Sequence, residues 1–457
     1  MEQKYIVALE IGSSHIRAAV GVVDESGVLT ILAVEDENAI NVVRYGWIQN
    51  VEEVSNRINK LIKKLENYQS ISPRKIKSVY VSIGGRSTMA TSRQIVRHFD
   101  DGVDITDKII QQIKDEARQM VVSDRKVIEV LPREFAVDNL DCPNPVGTVG
   151  RNIKAEINLV TCKPVIGYSN IQRAVTERQQ LNIKGEIVRQ SAIADLVLTS
   201  DEKKLGCMLV DFGAETTTVS MYKNGTLRYF ETLPLGSRNI TRDIMSLNHT
   251  EENAEQLKKV LGDVVNVEPN YRKHDFDGDA TEVNNYVRAR AGEIIVNIIE
   301  QPKYAGYKIS SDLPGGIIIV GAGAKLKGFT DQLASQSGLN VRLGNIPGTI
   351  RISDPKLQSL DFIDVIALLN AAARRNPQEC TEVPVQVNVV YDDDDSYDED
   401  DDDEPGPRPI KGKEKKEKKE KKPKVEEKRE PKGPSKLSQW KDRLATMLFN
   451  EADENDE

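Results

Sequence analysis

ALEIGSSHIRAAVG, Ala8 to Gly21, holds an apolar run, an acid, a turn of small residues and an alternating return. Within Lys4 to Val23 that order predicts a hairpin turning at Gly12-Ser13-Ser14. Roughly 200 residues later LVDFGAETTTVS, Leu209 to Ser220, repeats it, with Asp211 in place of Glu10 and Gly213 to Thr217 at the tip. The repetition predicts two related halves. A third glycine turn, IIIVGAGAKLKG, Ile317 to Gly328, follows a buried strand. Phosphates need backbone N–H groups that can approach closely, which favours Gly, Ala, Ser and Thr. A divalent metal on those phosphates needs carboxylates to hold its waters, and Glu10 and Asp211 suit that task. One such turn alone is most simply a tight turn; three in one chain, two beneath an acid, are far more specific.

The rest of the chain bounds this reading. Its 457 residues allow more than one domain. A net charge of -9 argues against a general nucleic-acid binder. The first residues lack the apolar stretch of a signal peptide, and no run approaches the roughly 20 apolar residues of a membrane span. Cys142, Cys162, Cys207 and Cys380 are scattered, as expected of reduced thiols. Helical periodicity marks 51–69, 251–261, 280–300 and 361–372, and DITDKIIQQIKDEARQMV is a helix capped at Thr106 or Asp107. After about residue 390 the composition breaks into an acidic run, 391–404, and a mostly basic one, 411–434. Neither can bury enough apolar surface to offset its ordering entropy.

These turns resemble those of the actin/Hsp70/sugar-kinase superfamily, an α/β, ribonuclease-H-like two-domain fold. Within it the chain resembles the FtsA family of bacterial cell-division proteins over almost all of residues 1–376. The motifs are ALEIGSS with its Glu10, VYVSIGGRS, VLPREFAVDN, NPVGTVGRNIKAEINLVTC, ADLVLTSDEKKLGCMLVDFG, LPLGSRNITRDI and AEQLKKVLG. The resemblance implies subdomain 1A at 1–81 and 163–204, 1C at 82–162, 2A at 205–230 and 301–376, and 2B at 231–300. An acidic then basic linker, 377–435, and a membrane-targeting helix, 436–450, would follow.

The resemblance also implies an ATP and Mg2+ site. Gly12, Ser13, Ser14 and His15 match the first phosphate hairpin. Asp211, Gly213, Ala214, Glu215, Thr216 and Thr217 match the second. Gly236 and Asn239 match the turn under the adenosine, and Glu255 and Lys258 match the pair that touches ribose and base. By spacing alone those two are a solvated helix pair. Gly321, Ala322, Gly323 and Lys325 match the adenosine turn. Glu10 and Asp211 would hold Mg2+ through water. The water-orienting position of relatives falls near Asp195, which equally suits a surface or capping role. ATP binding is expected rather than efficient turnover, at most a weak ATPase.

One departure stands out. The second hairpin usually reads Asp-x-Gly-Gly-Gly-Thr, and here it reads Asp-Phe-Gly-Ala-Glu-Thr. Two like unit charges 4 Å apart cost about 1 kcal/mol in water and several times that at lower dielectric. Glu215 therefore points away, works through the metal, or weakens nucleotide binding; the other intact turns favour retained binding.

KLSQWKDRLATMLF, Lys436 to Phe449, is amphipathic as a helix: Leu437, Trp440, Leu444, Met447 and Leu448 fall within an arc of about 100°. Lys436, Lys441 and Arg443 flank that stripe and can reach anionic headgroups. The resemblance implies a protein on the cytoplasmic face of the inner membrane at the division site. It would assemble with itself through 1C, take the C-terminal tail of the tubulin-like FtsZ on 2B, and recruit later division proteins. A sugar or small-molecule kinase would need a catalytic Asp in a substrate cleft, and no residue is tied to one. A pilus-assembly or shape-determining actin homologue is the other alternative.

Overall fold

In the computed structural model the described residues are 3–266 and 280–384. Two sheets are each built on one of the hairpins. In the first, Lys4–Ile11 pairs antiparallel with His15–Val23, and that strand with Leu29–Asn38. On its other side Lys4–Ile11 runs parallel to Ser78–Ile83, which runs parallel to Asn182–Val188. In the second, Cys207–Phe212 pairs antiparallel with Thr217–Lys223, and that strand with Thr226–Leu233. Cys207–Phe212 also runs parallel to Ile317–Val320, followed by Val341–Leu343. Both hairpins thus continue into parallel pairing from the strand that carries the acid.

The helices Arg189–Val197 and Ile363–Arg374 pack together, and the second lies across the strands of the first sheet. The second reads IDVIALLNAAAR and is apolar nearly all round, as a helix covered on every side must be. Their core joins Leu9 and Val81 of the first sheet to Leu209, Ile318 and Val320 of the second. The opposite face of the second sheet, with Met208, Val210 and Phe212, is covered by the helices Ser237–Met245, Glu251–Leu261 and Ala280–Tyr304. The helix Val51–Glu66 covers the first sheet, its N-terminus capped by the Asn50 side chain accepting from the Glu53 N–H.

Between Ser78–Ile83 and Asn182–Val188 the chain makes a separate sheet from Met89–Asp104, Lys126–Val137, Leu140–Asp141 and Val149–Cys162. It has its own core, in which Ile95, Ile153, Ile157 and Leu159 meet Ile113 and Ala117 of the helix Asp107–Gln119. Thr106 is the N-cap of that helix, without a side-chain capping bond.

The linker expected from residue 377 begins too early. Thr381–Glu382 pairs antiparallel with Lys75–Ile76, and the Cys380 N–H donates to Tyr5 O at 2.8 Å. Cys380 and Thr381 are buried, because this short strand covers an edge of the first half. The acidic and basic runs and the expected helix 436–450, with Leu437, Trp440, Lys441, Arg443, Leu444, Met447 and Leu448, lie outside the described residues. Among the described residues no helix is long and apolar enough to cross a membrane.

Candidate functional site

The two hairpin tips close in the same way. The Gly12 N–H donates to His15 O at 2.9 Å, and the Gly213 N–H donates to Thr216 O at 2.9 Å. Small residues are needed there: a Cβ on Gly12 would lie 3.0 Å from Glu10 Oε1 and from His15 O. In the first tip Ser13 Oγ accepts from the Gly46 N–H at 2.9 Å, and Ser14 O accepts from the Ala39 N–H at 2.7 Å. His15 lies 3.7 Å from Asp36 at a partly exposed edge, its pKa lowered by burial and by Arg17. The second tip is bound to the helix Ser237–Met245: the Ser237 N–H donates to Gly213 O at 3.0 Å and the Arg238 N–H to Ala214 O at 2.7 Å. Gly236 allows that approach, since a Cβ would meet Ala214 O at 2.4 Å. Asn239 Oδ1 accepts from the Gly236 N–H, and Thr217 Oγ1 donates to Leu235 O.

Glu10 and Asp211 are both buried, and a guanidinium stands between them. Arg189 lies 3.3 Å from Glu10 Oε1 and 2.8 Å from Asp211 Oδ2. It projects from the first turn of Arg189–Val197, a helix that lies against Asn182–Val188 and whose Gln190 donates to Ser220 of the second sheet. Arg17 lies 3.8 Å from Glu10 Oε2. Asp364, on the helix Ile363–Arg374, adds a third carboxylate. Glu10 Oε2 and Asp364 Oδ1 are buried without a hydrogen-bond partner. Burial, reinforced by Asp364, pushes the Glu10 carboxyl up to about 7. Burial pushes Asp211 up to about 6 against the pull of Arg189. The same carboxylates hold the Arg189 guanidinium firmly charged despite its burial.

Glu215 has turned into the cleft, where it is only 1 % exposed. Its Oε1 lies 2.9 Å from Arg238 and 3.0 Å from Arg242, both on the helix behind the second hairpin, and 4.0 Å from Arg44. Its Oε2 accepts from the Tyr45 N–H at 2.8 Å. Tyr45 has a left-handed backbone, φ 52°, and Gly46 follows at φ 76°. That turn sits tightly on Gly85, where a Cβ would come within 2.5 Å of Tyr45 O. Arg238 also donates to Ser13 O at 3.3 Å, so one side chain joins both tips.

The adenosine-side residues form a second polar knot. Lys258 is buried and lies 2.7 Å from Glu255. It donates to Thr241 Oγ1 at 2.9 Å and to Ser237 O at 3.2 Å, while Thr241 donates to Glu255 at 2.6 Å. Burial lowers the Lys258 pKa; burial also disfavours the Glu255 charge, but Lys258 and Thr241 outweigh it and the net shift is downward. The pair is therefore not the solvated one that spacing suggests. Gly321, at φ 88°, packs on Phe212 O. Ala322 to Lys325 make a short helical turn, Gly323 lies against the Phe212 ring, and Lys325 pairs with Asp361.

Two expectations need correction. Asp195 does not reach the carboxylates: it lies toward the far end of Arg189–Val197, 46 % exposed and paired with Lys203 at 2.7 Å. The residue of that helix that enters the site is Arg189. Glu10 Oε1 and Asp211 Oδ2 are not free to face a hydrated Mg2+, because the Arg189 guanidinium between the two acids takes both. A second cation there would be repelled by a guanidinium held in low dielectric. Among the described residues no group of three or more His, Cys, Asp or Glu could hold a metal. The phosphates of ATP meet the converse obstacle, since the Glu215 carboxylate already draws on Arg44, Arg238, Arg242 and the Tyr45 N–H beside the second tip. As arranged, the cleft residues do not fit Mg2+ and phosphate. Reading by motif missed Arg189, Arg44, Arg238, Arg242 and Asp364. For Arg189 and Asp364 the available signal was a charge in the first turn of a largely buried helix, as in RQSAIADLV and IDVIALL.

Comparison with known proteins agrees with the inserted sheet and the second half. Residues 208–360 match the family model for the cell division protein FtsA, and residues 84–161 match that for the SHS2 domain inserted in FtsA. The chain is 29 % identical over 390 residues to the cell division protein FtsA of Porphyromonas gingivalis, covering 82 % of this chain and 78 % of the relative. It is 27 % identical over 362 residues to that of Pseudomonas aeruginosa, covering 76 % and 84 %. Among solved structures, one from a PilM–PilN type IV pilus biogenesis complex superposes with a TM-score of 0.56 at 17 % identity, covering 81 % of this chain and 98 % of that one. The fold is actin-like, and the chain belongs to the FtsA family of bacterial cell-division proteins.

Proposed function

We propose that this protein is the membrane tether of the division filament. It assembles on the cytoplasmic face of the membrane, holds FtsZ by that protein's C-terminal tail, and recruits later division proteins. The observation that carries this reading is the joint match of the second half and the inserted sheet to FtsA. In this proposal the 82–162 region makes contacts between copies and the helices within 231–300 receive the FtsZ tail. The amphipathic 436–450 segment takes up anionic lipid, and the basic block at 411–434 adds attraction of up to about 1 kcal/mol per residue near the surface.

ATP enters this proposal only as what the superfamily implies, because the cleft charges as they stand do not accept it. A pull-down of the full chain with a synthetic FtsZ tail peptide tests the tether. Saturable capture is expected, and its absence would sink the FtsZ part of the proposal. Flotation with anionic liposomes tests the lipid part: W440E/L444E should leave the protein unbound, and unchanged flotation would refute it.

A further inference from the structure

The cleft contains a pair of opposite charges in the places that the superfamily gives to nucleotide phosphate and metal. At the second tip the carboxylate of Glu215 is set among Arg44, Arg238, Arg242 and the Tyr45 N–H. Between the acids of the two hairpins stands the cation of Arg189. Each charge reaches across the two halves. Glu215 belongs to the second hairpin, while Arg44 and Tyr45 belong to the first half. Arg189 ties Glu10 of the first sheet to Asp211 of the second. Arg238 adds a third link by bonding Glu215 and Ser13 O together.

From this arrangement we infer that the chain closes its cleft with its own charges, Glu215 standing in for phosphate and Arg189 for the divalent metal, so that the closed conformation needs no Mg2+-nucleotide. The chemistry supports the substitution. A buried carboxylate that accepts from guanidinium groups and a backbone N–H occupies donors suited to phosphate oxygens. A planar guanidinium bridging two carboxylates neutralises them as a hydrated cation would, without a ligand shell to fill. The two devices also reinforce each other, because entry of a metal would require Arg189 to leave, and entry of a phosphate would require Glu215 to leave. Buried groups that lose their partners are costly to leave behind. For the proposed tether, assembly then follows protein concentration and membrane occupancy rather than the nucleotide state.

The test uses the full chain and three probes: Mg2+-ATP, Mg2+-ADP and pyrophosphate. Titration calorimetry and thermal unfolding at millimolar nucleotide should show neither saturable binding nor a rise in Tm for the unmodified protein. Micromolar binding of either nucleotide would overturn the inference. Glu215→Ala leaves the three arginines and the Tyr45 N–H without their carboxylate, so pyrophosphate should bind that variant at least tenfold more tightly than the parent. Equal affinity for both would also overturn it. Should Glu215→Ala fail to fold, Glu215→Gln keeps the shape and removes the charge, and the same tenfold gain is required of it. The FtsZ-tail and liposome experiments read other surfaces, so the tether can fail while this inference stands, or the reverse.

Discussion

The two hairpins share a backbone and differ at the tip. Each runs from an apolar strand through a buried acid to a glycine whose N–H donates to the carbonyl three residues on, at 2.9 Å in both. In the first, Ser13 and Ser14 keep the tip small, and their polar atoms bond to the neighbouring loops. In the second, Glu215 extends from the tip into a nest of arginines. Similar turns therefore carry different side chains: one ends in small hydroxyls, and the other in a buried charge. Glycine-turn geometry persists because strand pairing and close packing demand it, whatever occupies the cleft. The side chains added to that geometry decide what can enter.

The largest expected effect comes from breaking what the hairpins have in common, the cation between their acids. Arg189→Met leaves Glu10, Asp211 and Asp364 buried without it and should cost about 3–5 kcal/mol in urea unfolding. The loss should be greatest above pH 7 and recover in acid, as the carboxylates protonate. A uniform loss at all pH values would mean that Arg189 acts by packing alone. Arg238→Ala tests what joins the two tips. It removes one of several partners of Glu215, so a smaller loss of about 1.5–3 kcal/mol is expected. Combined with Glu215→Ala, it should show non-additive coupling in a double-mutant cycle, and simple additivity would refute the link.

Glu10→Gln sharpens the comparison by pH. Glu10 titrates near 7 in the folded protein against an ordinary 4.5, and Asp211 near 6 against 3.8. The folded state thus keeps protons that the unfolded chain has released. Their stabilising contribution is complete below about pH 4 and is lost as pH rises through 6 to 7. Glu10→Gln resembles the protonated form, so its unfolding free energy should vary less between pH 5 and pH 8 than the parent's. An unchanged slope would place the titration elsewhere. The smallest effect belongs to Asp195→Asn, where loss of a half-exposed pair with Lys203 should cost less than about 1 kcal/mol. A large loss would return Asp195 to the site.

Much of the fold was legible because it rests on periodicity. The hairpins, the helix at 251–261 and the buried strand before Gly321 all follow from apolar spacing and glycine placement. The edge strand at Thr381–Glu382 was not, because two residues carry no period and their partner at Lys75–Ile76 is some 300 positions away. The site was half legible. Glycines and acids are read from local turn chemistry, which named Glu10, Asp211 and the tips. The arginines that answer them come from other segments, and nothing in their local sequence says which carboxylate they meet. Asp195 was named and Arg189 missed for the same reason: which end of a helix faces a cleft is set by packing.

By itself, the sequence determined the repeat of strand, acid, turn and strand, and with it two related halves, since alternation and glycine are local constraints on φ and ψ. It also determined that Glu215 breaks the usual turn. Only the tertiary structure decided where that carboxylate goes. Burial in low dielectric demands compensation for every charge. Here the compensation comes from Arg238 and Arg242 on the helix behind the same hairpin, and from Arg44 and the Tyr45 N–H, which reach Glu215 only when the first half meets it across the cleft.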